Sequence, residues 1–341
     1  MPAIFDLFTQ NEILKYVRGR EFPAMAGTEL FPERKTNSLS FDMIKGAGRM
    51  PVIASVHAFD TEAEIGSRET SKKAQELAFI KRKIQLKEED IVKLQGPMSD
   101  EARSYLMSEV YDDTGVLVQG VLARVEAFRM EALATGKILL NENGMENVTV
   151  DYGVPAENKQ ALSGTSIWTD ETSDPIDDIM RWADVLDGSA TRALTSRKIL
   201  SALLRHPKVI GALFGRDSAR VASVTDLNSF MISHGLPQIA TYDRKYRKQA
   251  SDGSYTKHRY FPENSFAMFG SEGLGETIYG PTPEESRMRN NSDVDTSLIG
   301  NVTAMMYEET KDPVGTWTKA TATALPSFEA ADEVFQATPI A

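Results

Sequence analysis

The alternation of apolar and polar positions divides the chain into segments of different character. The first fifty residues keep no sustained period. Phe5, Leu7, Phe8, Ile13, Leu14, Tyr16 and Val17 cluster together, and Gly19, Pro23, Gly27 and Pro32 punctuate the stretch after them. So few apolar residues build no core of their own, and the segment needs another surface to lie on. From Leu39 the period becomes two: Leu39, Phe41 and Met43 alternate with Ser40 and Asp42, and beyond Gly46, Gly48 and Pro51 the alternation resumes at Val52, Ala54 and Val56. A charged stretch from Asp60 to Gln75 precedes a second alternating run, in which Ala78, Ile80, Ile84 and Leu86 share a face broken only by Arg82. The two runs together predict a long two-stranded arm with a charged tip; a helix over 71–86 is the alternative. A two-stranded ribbon is marginal by itself and needs outside support.

A helical period takes over after Pro97 and Ser99, with Asp100 and Glu101 placed to favour the positive end of the helix dipole. Leu106, Val110, Leu117, Val121, Val125 and Phe128 recur at helical spacing, and Gly136 is the expected stop. Gly115 and Gly120 weaken the middle, which predicts a kink or break between Asp112 and Gly115. A helix apolar along one stripe is expected to serve as a spine against a sheet. Val148, Val150 and Tyr152 predict a strand, and Asp174 with Pro175 opens a helix that stops at Gly188. Helices over 195–204 and 224–232 and strands over 238–242 and 265–269 complete a second unit. The segments 303–307 and 316–325 predict a hairpin returning to the first unit's sheet. The fold class is α+β, with no internal repeat and no low-complexity tract.

Composition adds limits. At 341 residues and 41% hydrophobic the chain can bury a real core. No run approaches the ~18 apolar residues of a membrane span, and the start lacks a basic region followed by a long apolar stretch, so the chain is expected to be cytosolic when made. The absence of Cys excludes disulfides and thiol chemistry. Thirty-eight basic against 49 acidic residues give a formal charge of −11, which disfavours a specific DNA reader.

Candidate chemistry is sparse. His57, His206, His234 and His258 have no second His or carboxylate at the spacing of a helical metal site. There is no Gly-x-Ser-x-Gly elbow and no phosphate-binding Gly-rich loop; Gly270, Gly273 and Gly275 come closest but lead into the extended Ile278 and Tyr279. Asp177 with Asp178, and Glu284 with Glu285, are neighbours on predicted surface and do not face one another. The clusters Arg244, Lys245, Arg247, Lys248 and Lys81, Arg82, Lys83, with Tyr242 and Tyr246 interleaved, suit phosphate contacts or, better in an acidic chain, acidic patches on a neighbouring subunit. No catalytic, cofactor-binding or metal-ligating residue is expected, so the chain is not expected to be an enzyme. A hydrolase working in the second unit and a monomeric binding module are the alternatives.

Several stretches, taken in order, resemble a known family over most of the chain. They are Phe79-Ile80-Lys81; Val148-Thr149-Val150-Asp151-Tyr152-Gly153 with Glu157-Asn158; and Trp168 leading to Asp174-Pro175-Ile176-Asp177-Asp178-Ile179. Phe261-Pro262-Glu263-Asn264 then precedes Phe269-Gly270 and Tyr279-Gly280, and Ala331-Asp332-Glu333-Val334 lies near the end. Their order and spacing resemble the lambda-type major capsid proteins of tailed bacteriophages. Ala78 to Leu86 lacks the prolines common there in the family, and 192–259 is only loosely similar.

The resemblance implies the Hong Kong 97-type capsid fold. Its parts would be an N-terminal arm (1–50), an extended loop (51–95), a peripheral domain with the spine helix (96–173), an axial domain (174–290) and C-terminal strands returning to the peripheral domain (291–341). It implies self-assembly into hexamers and pentamers of an icosahedral head, built in the host bacterial cytoplasm and ending in the virion, with non-specific double-stranded DNA on the inner face. No cofactor and no membrane are implied. A scaffold supplied as a separate protein, because no long charged helical prefix precedes the arm, and portal and decoration proteins are the expected partners. Glu62, Glu64, Arg68, Glu69, Lys72 and Lys73 at the loop tip are assigned to charged intersubunit contacts, and Gly115 and Gly120 to a hinge in the spine helix.

Overall fold

The structure, a computed structural model, describes residues 9–45, 54, 56–57, 59, 71–86, 89, 99–141, 148–215, 218, 220–250, 252–309 and 315–341. The chain opens with α1 (Gln10–Gly19), fixed by a capping box in which the Glu12 amide donates to the Thr9 hydroxyl and the Thr9 amide donates to the Glu12 carboxylate at 2.9 Å. α2 (Ala26–Leu30) and the short β1 (Glu33–Lys35) come after it. β2 (Ser40–Lys45) pairs antiparallel with β3 (Ser71–Glu76), from Ser40 opposite Glu76 to Lys45 opposite Ser71. β4 (Ala78–Leu86) comes next, and then the spine, α3 (Asp100–Thr135), which Gly136 ends at φ +70°. A small hairpin of β5 (Lys137–Leu140) and β6 (Val148–Asp151) leads to β7 (Lys159–Ala161).

The second unit begins at α4 (Pro175–Val185), with Asp174 as its cap and Pro175 in its first turn. It continues through β8 (Arg192–Thr195), α5 (Arg197–Arg205), α6 (Pro207–Phe214), α7 (Val224–Ser233) and β9 (Gln238–Thr241). Then come a hairpin of β10 (Lys245–Gln249) and β11 (Tyr255–Arg259), β12 (Phe266–Phe269), β13 (Thr277–Gly280) and α8 (Pro283–Arg289). The chain closes with β14 (Thr303–Glu309), β15 (Gly315–Pro326) and β16 (Phe335–Thr338).

Two five-stranded sheets organise these elements. In the first, β15 is central; β4 pairs with one edge, β14 and then β13 with the other, and β1 adds in parallel to β13. Ala320, Ala322 and Ala324 of β15 are fully buried with Val110, Leu117, Val118, Val121 and Val125 of α3, so small strand residues seat the bulky helical stripe against the sheet. In the second sheet the order is β7-β16-β12-β8-β9. Its core is aromatic: Trp182 stacks on Phe335 at 5.2 Å and on Trp168 at 5.4 Å, and the buried Trp168 indole donates to Asp178 at 2.9 Å.

The structure differs from the sequence pattern in four places. β4 is the edge strand of the first sheet and not half of the arm; the arm's second strand is β3, because alternation marks a half-buried strand without naming its partner. The alternative helix over 71–86 is absent. α3 is one 36-residue helix with no break at 112–115, because packing on β15 and β4 outweighs the propensity cost of two glycines. The C-terminal segment splits: β14 and β15 return to the first sheet, whereas β16 enters the second, and β13, expected in the second unit, lies in the first.

Candidate intersubunit surfaces

The leading segment, which the sequence pattern predicts to need another surface, packs on its own chain over residues 9–45. Ile13 is fully buried with Leu117 and Tyr279, because α1 has one apolar face and the spine offers a complementary stripe. Downstream, a charge network fastens α2 and β1. Glu126 of α3, fully buried, accepts the Gly27 amide at 3.0 Å. Arg129, also buried, donates to Thr277 Oγ1 at 2.7 Å, Thr28 Oγ1 at 2.9 Å and Glu33 Oε1 at 3.1 Å, with Glu126 Oε2 3.6 Å away. Lys35 of β1 pairs at 2.8 Å with the buried Glu285 of α8, which Arg289 also meets at 2.8 Å. Burial pushes the Glu285 carboxyl up, but hydrogen bonds from Lys35 and Arg289, together with their charges, hold it below the ordinary glutamate value.

The β2–β3 ribbon is rooted on the main core. At its root the Leu77 amide donates to the Leu39 carbonyl at 2.9 Å, Met43 is buried, and Phe41 and Leu77 pack on the main core. Glu62, Glu64, Arg68 and Glu69 lie outside the described residues. Lys72 and Lys73, expected at the tip, are instead in β3, opposite Ile44 and Met43 in the ribbon's stem. Between the strands, Val56 and Phe59 are fully exposed.

Gly115 and Gly120 face different neighbours. A Cβ at Gly115 would run into the guanidinium of Arg20, whereas one at Gly120 would meet Arg82 Cδ at a comfortable 3.6 Å. Arg82 in turn crosses towards the β10–β11 hairpin and donates to Gln249 Oε1 at 3.3 Å, so it links the two basic clusters of the sequence. Lys83, on the opposite face of β4, lies 3.8 Å over the Trp317 ring. The hairpin itself escapes the hydrophobic pattern because few of its residues are buried. The turn signal Asp252-Gly253, with Gly253 at φ +85° between alternating Tyr246 and His258, is the clue that locates it.

No catalytic constellation emerges among the described residues, and no group of three potential metal ligands is present among them. The nearest candidate is Ser173 Oγ, 3.1 Å from His206 Nε2. The Lys208 amide donates to His206 Nδ1, which puts the ring proton on Nε2, facing the Asp170 carbonyl at 3.0 Å. A protonated Nε2 is no base for Ser173, and His206 instead caps α6. Of the other histidines, His234 stacks on Phe230 and His258 on Tyr246. No helix among the described residues is long and apolar enough to cross a membrane.

Comparison with known proteins places this geometry. The family model of phage major capsid protein E matches residues 9–339. No curated protein matches the chain. Among solved structures, a prophage protein of E. coli CFT073 described as a capsid protein superposes with a TM-score of 0.65 at 16% identity, covering 98% of this chain and 99% of that one. A phage-related protein from Bordetella bronchiseptica RB50 gives 0.49 at 13% identity with 96% of each chain covered. The satellite phage P4 procapsid gives 0.46 at 9% identity, with 100% and 92% covered.

Proposed function

The chain belongs to the phage major capsid protein E family and has the Hong Kong 97-type capsid fold, and from that premise we propose how it builds a shell. The β2–β3 ribbon and the segment it carries reach over adjacent copies in hexamers and pentamers. The body around the first sheet takes the peripheral position, and the body around the second sheet surrounds the five- and six-fold centres. Such contacts are heterologous, one patch meeting a different patch on the next copy, and the rotation closes into a ring. Several modest contacts per copy then combine through multivalency.

The observation that carries this is the ribbon: two strands rooted in the core, joined by a segment in which Val56 and Phe59 are fully exposed. Glu62, Glu64, Arg68, Glu69, Lys72 and Lys73 supply charged contacts to neighbours, and Gly115 and Gly120 give the spine helix its flex during maturation. Assembly takes place in the host cytoplasm, with a separate scaffold, a portal and a decoration protein as partners and double-stranded DNA enclosed. The chain does no chemistry of its own.

Size-exclusion chromatography with negative-stain microscopy of the expressed chain tests this. Rings, tubes or shells are expected from the parent, and the double variant Val56→Ser, Phe59→Ser is expected to remain dispersed with an unchanged circular dichroism spectrum. A parent that stays a compact monomer, or a variant that assembles as well as the parent, overturns it.

A further inference from the structure

The β10–β11 hairpin carries a cluster of four cations of which, among the described residues, only Arg259 is paired with carboxylates. Strand alternation puts Lys245, Arg247, Lys257 and Arg259 on one face, and the register sets Lys245 opposite Arg259 and Arg247 opposite Lys257. Directly opposed like charges destabilise an antiparallel pair, and here two such rungs lie next to each other along the same face. Among the described residues only Arg259 meets carboxylates, those of Asp243 and of Glu263 at 2.8 Å. Arg247 lies over the Tyr255 ring, 5.3 Å from its centre, and Lys245 and Lys257 project into solvent. The other face is spoken for: Tyr246 packs against Tyr260 at 5.0 Å and His258 at 5.6 Å, and the buried Tyr260 and Tyr242 continue the row into the core. Arg244, which donates to the Ala24 carbonyl at 2.6 Å, and Arg82 at Gln249 hold the two ends of β10. The cationic face is therefore presented outward by a ribbon whose orientation is fixed.

We propose that this face is a contact for the phosphate backbone of double-stranded DNA. The proposal rests on the shell assignment and goes beyond it by naming which surface of the chain meets the genome. Alternate residues along a strand are about 6.7 Å apart. That is about the separation of neighbouring phosphates along one strand of a duplex, whose backbone winds round the helix axis, so the two cations of each row can meet consecutive phosphates. Lysine and arginine contacts of this kind position DNA without reading its sequence. With an overall charge of −11 the surface as a whole repels DNA, so attraction has to come from a local cluster of cations such as this one.

The test is fluorescence anisotropy of a labelled 30-base-pair duplex of mixed sequence with the dispersed chain, across a salt series. Each cation on a phosphate contributes about 0.9 to the slope of log affinity against log salt. The variant Lys245→Gln, Arg247→Gln, Lys257→Gln is expected to lose about 2.7 of that slope, which is about a 40-fold smaller loss of affinity between 50 and 200 mM salt. A charge-matched control, Lys198→Gln, Arg205→Gln, Arg287→Gln, is expected to keep the parent slope. Because the hairpin variant removes opposed like charges, it is expected to melt no lower than the parent, which separates lost binding from lost folding. A parent without measurable binding at 50 mM salt, or a hairpin variant with the parent slope, overturns the proposal. So does a hairpin variant that abolishes particles and leaves the slope alone, since the face then serves a second copy of the chain. Negative-stain images of the same samples report on the shell assignment separately: a parent that forms no particle defeats that assignment, while the slope is still read on dispersed chains.

Discussion

Replacing Arg129 with Met should be the most damaging single change at the junction between the leading segment and the spine. Its guanidinium is 3% exposed, and the Glu126 carboxylate beside it is fully buried. Removing the cation leaves that carboxylate with the Gly27 amide as its remaining hydrogen-bond partner, and breaking a buried pair in this way costs about 3–5 kcal/mol. The other partners are less affected. Thr277 Oγ1 still donates to the Phe31 carbonyl at 2.9 Å, and Glu33 still accepts from Asn301 at 2.7 Å and from the Tyr279 hydroxyl at 3.3 Å. Most of the penalty should therefore be the orphaned charge of Glu126. In the double variant Arg129→Met, Glu126→Gln, the amide oxygen can keep the Gly27 contact without a charge, and the total cost should fall below about 2 kcal/mol. The assay is urea unfolding of the dispersed chain followed by tryptophan fluorescence, in which Trp317 reports the first sheet and Trp168 and Trp182 the second. Hydrogen exchange at the Gly27 amide adds a local readout. A single variant that costs under about 1 kcal/mol, or a double variant as unstable as the single one, refutes the reasoning.

Gly120→Ala should stabilise the chain by about 0.8 kcal/mol in the same urea assay, because the added methyl has room and the helix interior prefers Ala; if Gly115→Ala with Gly120→Ala leaves head expansion unchanged, the hinge assignment is wrong. Glu285 makes stability acid-sensitive. Its carboxyl is held below the ordinary value in the folded state, so its contribution is complete above the unfolded glutamate value of about 4.3 and is lost as pH falls through the lower folded value. Urea midpoints measured from pH 6 downward should fall less steeply in Glu285→Gln than in the parent. Trp182→Ala should cost about 3–5 kcal/mol, because it empties the stack between Trp168 and Phe335; a loss under about 1 kcal/mol in thermal unfolding would show that the second core is not organised around that ring.

Features written within a few turns of chain are legible in the amino-acid string alone. The spine's extent follows from its apolar stripe and from Gly136, α4 from Asp174 and Pro175, α7 from its helical stretch over 224–232, and the returning hairpin from its two strand-like segments. The order of family-like stretches pointed to the capsid fold because such stretches keep their order whichever strands they pair with. Which element pairs with which emerges only on folding. An alternating strand presents the same pattern to any neighbour, so β4 could not be told from an arm strand until β15, from the far end of the chain, was laid beside it. Glu126 and Arg129 read as ordinary helix charges until packing placed Gly27 and Thr277, 99 and 148 positions away in sequence, against them. The opposed cations of the β10–β11 face likewise arise from register and not from spacing. Periodicity and capping are short-range physics and survive in a one-dimensional string, whereas burial of a charge and the pairing of two edges depend on contacts that exist only after the chain has closed on itself.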